Sequence, residues 1–409
     1  MRTTQSLTTP DKRCSSSGLT RRAFLKNVTL ATGAFTTPSV ALSGQPPSVT
    51  PPRSLTSVRL CKRYDYPLVR RTLAKILDDV GGIRSLVRRK FVTIKTNLVN
   101  TSAESVGGLP LSLTVTTHPN VALSLGSLLI DYGARRVTFC DQLPFHELGP
   151  EPFAGYGFDF QLFSQEMEGR VRFVNTRNRG QHGKYSFVRV PGEGELATAW
   201  EVNQIYAERD VLISLTKLKS HVSAGVSLGM KNLFGVPPSS LYGDDLEDHP
   251  DENAVGYRNG TMHRCDREPY TSTGTFTGRS VTGDHGFNVP RFIVDLNAAF
   301  PIDLVVIDGV SAIQTAEGWW NGSMVSVCSP GLLIAGSNAV CTDAVATALM
   351  GFDPNAPDRT HPFANGTNYL AMARRKGLGE NRIAELEIGG VGLERARFEY
   401  MPTFQRANL

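Results

Sequence analysis

The chain has 409 residues, 40% hydrophobic and 20% charged, an ordinary balance for a globular protein with a sizeable core. Its formal charge of +5 is local: Arg2, Lys12, Arg13, Arg21, Arg22 and Lys26 face only Asp11 within residues 1–41, and the remainder holds equal numbers of acids and bases. A nucleic-acid partner read from overall charge is thereby excluded, and no run approaches the roughly 18 apolar residues of a membrane span.

The first element is a leader. Thr20-Arg21-Arg22-Ala23-Phe24-Leu25-Lys26, the mildly apolar Val28–Phe35 and Pro38-Ser39-Val40-Ala41 are the parts of a twin-arginine (Tat) signal. They predict export to the periplasm or an equivalent compartment, with the Tat translocase as a transient partner and cleavage near Ala41. A basic tail with a chance Arg-Arg pair is the alternative. Residues 42–55, rich in Pro, Ser and Thr, read as a linker, and 56–409 as one domain. Past the leader remain Cys61, Cys140, Cys265, Cys328 and Cys341, an odd number without Cys-x-x-Cys. A disulfide framework and a cysteine-only zinc site are therefore not expected, and Cys140 and Cys341 read as buried thiols.

Apolar runs then alternate with helical spacing. Ser57–Leu60 reads as a strand, Pro67–Val80 as a helix closed by Gly81-Gly82, Phe91–Ile94 as a strand, Val121–Tyr132 as a helix ending at Gly133, and Val137–Cys140 as a strand. Val211–Leu215, Leu304–Ile307 and Leu332–Ala335 are further strands; Asn338–Met350 and Asn368–Arg375 are further helices. This order predicts an α/β fold: a mainly parallel sheet with helices on both faces, Rossmann-like in its three layers. Two segments break the alternation. Gly149–Gly194 is read as a candidate antiparallel extension, and Ser239–Pro290 as a long polar insertion that is acidic over Asp244–Glu252.

In such sheets the working residues lie beyond the carboxyl ends of strands, which selects Lys95, Asp141, Thr216–His221 and Asp308. Lys217, Lys219 and His221 alternate, so in an extended chain they share one side. The Gly-containing stretch that follows leads into a helix start whose free N–H groups could hold an anion, with Lys231 nearby. A solvated basic loop is the competing reading. Neither a Walker motif nor Gly-x-Gly-x-x-Gly is present, so a standard nucleotide or dinucleotide site is not indicated. His118, before Pro119, is either a helix-entry residue or an acid/base group. Asp141 and Asp308 either cap helices or face the cleft, and Asp343, inside a helical pattern, is expected to pair with a lysine. Glu317 reads by default as a solvated carboxylate, and the Asp244–Glu252 run lacks EF-hand spacing.

Lys217-Leu218-Lys219-Ser220-His221 followed by Gly229-Met230-Lys231-Asn232-Leu233-Phe234-Gly235 resembles the signature of the DUF362 family. So do, in order, Val92–Leu98 (with Thr96 where the family carries Pro), Thr116-Thr117-His118-Pro119, Gly133–Asp141, Asp303–Gly309, Glu317-Gly318 and Asp343–Ala346. The resemblance spans most of 57–392 and implies no settled activity. Some relatives hold iron–sulfur clusters through ferredoxin-like cysteine runs; this chain has none. His263 resembles a histidine that relatives place after the Lys-Asn-Leu-Phe-Gly element. His221-x-x-Ala224-Gly225…Lys231 also resembles a stretch of nickel-pincer lactate racemases, which implies isomerase-type proton transfer.

Two functions are expected from this. The first is an enzyme on a small anionic molecule, in which Lys95, Asn97, Lys217, Lys231 and Asn232 bind a carboxylate or phosphate. His221, His118, Lys219 and Asp308 then carry the chemistry. A divalent metal on Asp141, Glu317, Asp343 or His263 is an open cofactor option. The second is a non-catalytic exported protein that holds a cofactor or solute in the same cleft.

Overall fold

A computed structural model describes residues 55–99, 104–143, 145, 147, 149–177, 185–243, 259–266 and 283–405, all within the unit Pro51–Leu409. The expected leader, with its Arg21-Arg22 pair and the expected cut near Ala41, lies outside the described residues, as do Asp244–Glu252.

The apolar runs become strands because their β-branched residues can be buried on both faces of a central sheet. The strands are β1 (Leu55–Leu60), β2 (Phe91–Lys95), β3 (Ser105–Val106), β4 (Leu109–Pro110), β5 (Arg136–Asp141), β6 (Val171–Asn175) and β7 (Tyr185–Arg189). They continue with β8 (Ala199–Asn203), β9 (Val211–His221), β10 (Gly225–Ser227), β11 (Leu304–Gln314), β12 (Ser326–Cys328), β13 (Leu332–Gly336) and β14 (Glu387–Gly390). The main sheet runs β14-β1-β13-β11-β9-β2-β5-β6, with β10 added to β9 and β12 to β11. Its path is parallel except at β13, which is antiparallel to both β1 and β11. The carboxyl ends of β1, β11, β9, β2, β5 and β6 therefore share one rim.

Alternation along each strand feeds two cores. Ile213, Leu215, Leu304 and Val306 pack with Leu73, Ile76, Val121 and Leu125 of the helices Tyr66–Asp79 and Pro119–Asp131. Leu212, Val305, Ile307 and Ile334 pack on the other face with Phe292, Val345 and Leu370, from the helices His285–Ala299, Ala339–Leu349 and Tyr369–Arg375. This is the α/β sheet with helices on both faces that the sequence pattern predicts.

Three details differ from the sequence reading. β9 does not stop at Leu215 but runs on to His221, because β10 pairs with Lys219–His221 and β11 rejoins at Ile313. Within Gly149–Gly194, β6 is parallel, and only β7, paired with β8, is antiparallel. The Ser239–Pro290 insertion ends earlier than expected, since the helix His285–Ala299 contains Pro290. Proline cannot serve the carbonyl four residues back. That carbonyl, Gly286 O, accepts instead from Thr367 N at 3.0 Å, so the helix loses nothing there.

Cys140 and Cys341 are buried, as expected; Cys61 and Cys328 are buried too, and Cys265 is half-buried. No helix among the described residues is long and apolar enough to cross a membrane.

Candidate functional site

Three lysines leave the strand ends at the rim, and each has a different set of acceptors. Lys95, last in β2, donates to Asp141 Oδ1 and Thr96 O, both at 2.6 Å, and to Asn232 Oδ1 at 3.4 Å. Lys217, in β9, donates to Asp308 Oδ2 at 2.8 Å, to the Tyr64 hydroxyl at 2.9 Å and to Ser112 O at 3.0 Å. Each ammonium thus spends its three hydrogens on three acceptors, one of them a carboxylate. Lys219, two residues further along β9, meets Asn97 Oδ1 at 2.9 Å and Val115 O at 3.1 Å, and no carboxylate among the described residues.

All three are buried. Burial lowers the pKa of Lys217, and Asp308 offsets part of that. For Lys219 nothing comparable offsets it: burial first, then the neighbouring Lys231 charge, bring its pKa down to about 7. Glu317 and Asp141 oppose the shift, while Lys217 adds to it. Lys219 is thus poised to lose its proton near neutrality.

The carboxylates are held as firmly as the lysines. Asp141 also accepts from Leu98 N at 2.7 Å and Gln142 N at 2.8 Å, though burial still raises its pKa. Thr96 reinforces this: its N–H donates to Cys140 O at 3.0 Å and its hydroxyl lies 3.2 Å from Asp141 Oδ2. A proline here could make neither bond. Asp308 accepts from the Tyr64 hydroxyl at 2.9 Å and from His118 N at 3.3 Å. Both aspartates are buried lysine partners; neither caps a helix.

The Gly-Met-Lys-Asn-Leu-Phe-Gly element is a brace for this rim. A Cβ on Gly235 would stand 3.1 Å from Lys95 Nζ, and one on Gly229 would stand 2.9 Å from Asp343 Oδ1. Asn232 Nδ2 donates to Lys95 O at 3.0 Å and Ser214 Oγ at 3.1 Å, and its Oδ1 lies 3.3 Å from Asn97 Nδ2. Asn97 and Asn232 therefore form a relay between Lys219 and Lys95. The helix start expected to hold an external anion holds an internal one. Gly229 N and Met230 N both donate to Asp343 at 2.8 Å, and no lysine among the described residues pairs with that carboxylate. Burial outweighs these bonds and raises the Asp343 pKa to about 7. Lys231 is only half-buried and lies over the Phe234 ring, 4.2 Å from its centroid.

The two histidines differ. His118 caps the helix Pro119–Asp131, its Nδ1 accepting from Asn120 N at 3.1 Å, and it stacks on Tyr64 with centroids 3.7 Å apart. Burial lowers its pKa to about 4, leaving it neutral at pH 7. The helix-entry reading therefore holds, although the cap sits against Asp308. His221 projects from β9 on the same side as Lys217 and Lys219. Its Nδ1 accepts from Ser223 N at 3.1 Å and Ala224 N at 3.2 Å. Glu317 Oε2 lies 3.9 Å from that nitrogen, but with the lone pair already taken the contact is electrostatic and the ring proton belongs on Nε2. Glu317 is not solvated at large: its side chain is 12% exposed and accepts from Val222 N at 2.8 Å.

The four metal candidates lie in separate settings. Asp141 is engaged by Lys95, Glu317 by Val222, Asp343 by Gly229 and Met230, while His263 packs against Phe234 and His285. Among the described residues no three His, Cys, Asp or Glu side chains gather as a metal centre.

Two contributors escaped the sequence reading. Tyr64 follows the carboxyl end of β1, so the strand-end rule would have reached it had it been applied to that strand. Ser112 O and Val115 O are backbone atoms with no residue-type signal.

A parallel-rich α/β sheet with buried lysines and aspartates along its carboxyl rim defines a protein of the open-sheet class, with a polar strand-end site. The chain belongs to the family described as "Domain of unknown function (DUF362)", whose model matches residues 92–348. No curated protein matches it significantly. Among solved structures, the lactate racemase apoprotein from Thermoanaerobacterium thermosaccharolyticum is similar at 14% identity and a TM-score of 0.31. The match covers 64% of this chain and 51% of that one, so the chain spans about half that protein's length. At this level the likeness carries no argument about chemistry.

Proposed function

We propose that this protein is an exported enzyme that performs acid/base chemistry, of the isomerase kind, on a small carboxylate- or phosphate-bearing molecule at the rim of β9. The observation that carries this reading is Lys219: a buried amine without a carboxylate, brought to a pKa of about 7. A scaffold gains nothing from such a group, because burying a lysine without a carboxylate partner is costly. Catalytic bases are found in such settings. His221, with its proton on Nε2, stands beside it on the strand as a hydrogen-bond donor, and half-buried Lys231 adds positive charge near the same rim.

Lys95–Asp141 and Lys217–Asp308 act here as positioning pairs. They carry no net charge and hold the strand ends through Asn97, Asn232 and Tyr64. A thermal-shift screen of short carboxylates and inorganic phosphate tests the reading. A ligand that stabilises the native protein but not Lys219→Met supports it; equal stabilisation of both proteins, or none of either, contradicts it. Export by the Tat route belongs to the same proposal. It requires that Arg21→Lys/Arg22→Lys leave the precursor in the cytoplasm, and normal export of that variant would refute it.

The saturation of two of the three lysines also suits a non-catalytic carrier, which needs only satisfied charges. Turnover of any ligand found in the screen separates the two.

A further inference from the structure

We infer that Lys219 is a covalent nucleophile, and that the substrate class is a small acid bearing a ketone or aldehyde carbonyl, bound as an imine on Nζ. This rests on the reading of the β9 rim as a site for small anions and narrows it to one chemistry.

An ammonium has three N–H donors and no lone pair, whereas a neutral amine has two donors and one lone pair. Lys95 and Lys217 each meet three acceptors, as ammonium ions require. Among the described residues Lys219 meets two, Asn97 Oδ1 and Val115 O, both neutral oxygens. That is the satisfied state of an amine, and it leaves the lone pair uncommitted. The charged side chains that act on it are Lys231 and Lys217, which favour the neutral form, and Glu317 and Asp141, which oppose it. Burial outweighs them all, in the way apolar pockets make lysines nucleophilic.

The step balances without an oxidant. The Lys219 lone pair attacks the carbonyl carbon, forming a C–N bond, and the carbonyl oxygen takes up the amine proton to give a carbinolamine. A proton drawn from solvent lets that hydroxyl leave as water, the C–O bond breaks, and the product is a protonated imine. The cationic imine withdraws electrons from the neighbouring carbon, which can then give up a proton and take it back. That connects the covalent step to isomerase chemistry. Val115 O and Asn97 Oδ1 are the oxygens the incoming molecule must displace, and the positive charge of half-buried Lys231 favours the substrate's acid group.

The experiment uses the full chain with glyoxylate, pyruvate and 2-oxobutyrate as probes at neutral pH. Binding is read by thermal shift, and imines are reduced with sodium borohydride and located by peptide mass spectrometry. The inference expects one reduced adduct per chain, on the peptide carrying Lys219. That adduct should be lost in Lys219→Arg and Lys219→Met and retained in Lys231→Met with weaker probe binding. Two variants of Lys219 are used so that a folding defect in one, visible by circular dichroism, leaves the other informative. Probes that bind without forming an adduct on Lys219 overturn the imine and leave the anion site standing. Probes that neither bind nor react overturn both, as does labelling confined to exposed lysines.

Discussion

Lys217 and Lys219 sit two residues apart on one strand, point to the same side and are equally buried, yet their surroundings make them different groups. Lys217 has a carboxylate, a hydroxyl and a carbonyl. Lys219 has a side-chain amide and a carbonyl. The first arrangement keeps an ammonium in a dry site; the second favours an amine. The lesson is that burial alone does not mark a functional lysine, since Lys95 and Lys217 are buried and structural. The missing counter-charge does.

The largest expected effect breaks the structural side of this contrast. Asp308→Asn strands the Lys217 charge, and Asp141→Asn strands that of Lys95, each costing about 3–5 kcal/mol in urea unfolding. Lys219→Met should cost less than about 1.5 kcal/mol above neutral pH, because a near-isosteric apolar chain replaces an uncharged amine. Equal losses across the three would erase the distinction.

Next in size, Asn97→Asp gives Lys219 the carboxylate it lacks and makes it resemble Lys217. Its pKa should rise toward the ordinary 10.5 and borohydride trapping at neutral pH should fall at least tenfold. Unchanged trapping would mean that the acceptor set does not govern the amine.

The smallest effect concerns pH. Asp343 has its pKa raised from 3.8 to about 7, so its folded form binds more protons and its stability contribution is lost as pH rises through that window. His118 has its pKa lowered from 6.5 to about 4, so its contribution grows with pH over an overlapping window. The two oppose one another. Asp343→Asn should therefore reveal a rise in stability between about pH 4 and 6.5, measured by denaturant midpoints at each pH. A flat profile would remove one of the two shifts.

Much of the fold was legible because apolar runs and helical spacing report burial directly. Leu304–Ile307, Val211–Leu215 and the helix after Asn338 fall where periodicity puts them. The strand-end rule likewise found Lys95, Asp141, Lys217 and Asp308 as a set, but it could not pair them: that each lysine takes one aspartate is a matter of sheet order. Where the helix Gly229–Asn232 was expected to receive a ligand, Asp343 fills the place from a helix more than a hundred residues away in sequence. No local pattern encodes that contact. The antiparallel setting of β13 and the early start of the helix at His285 were hidden for related reasons, since strand direction and the use of Gly286 O by Thr367 are tertiary facts. The difference between Lys217 and Lys219 was equally silent in a sequence that shows only Lys-Leu-Lys.

The most direct test of the central claim is the ionisation of Lys219 itself. It is followed by 15N NMR of lysine side-chain nitrogens in the full chain, with the resonance assigned by its loss in Lys219→Arg. The account predicts a titration near pH 7, well below the usual lysine value of 10.5. A Lys219 resonance that stays protonated up to the usual value of 10.5 would contradict it.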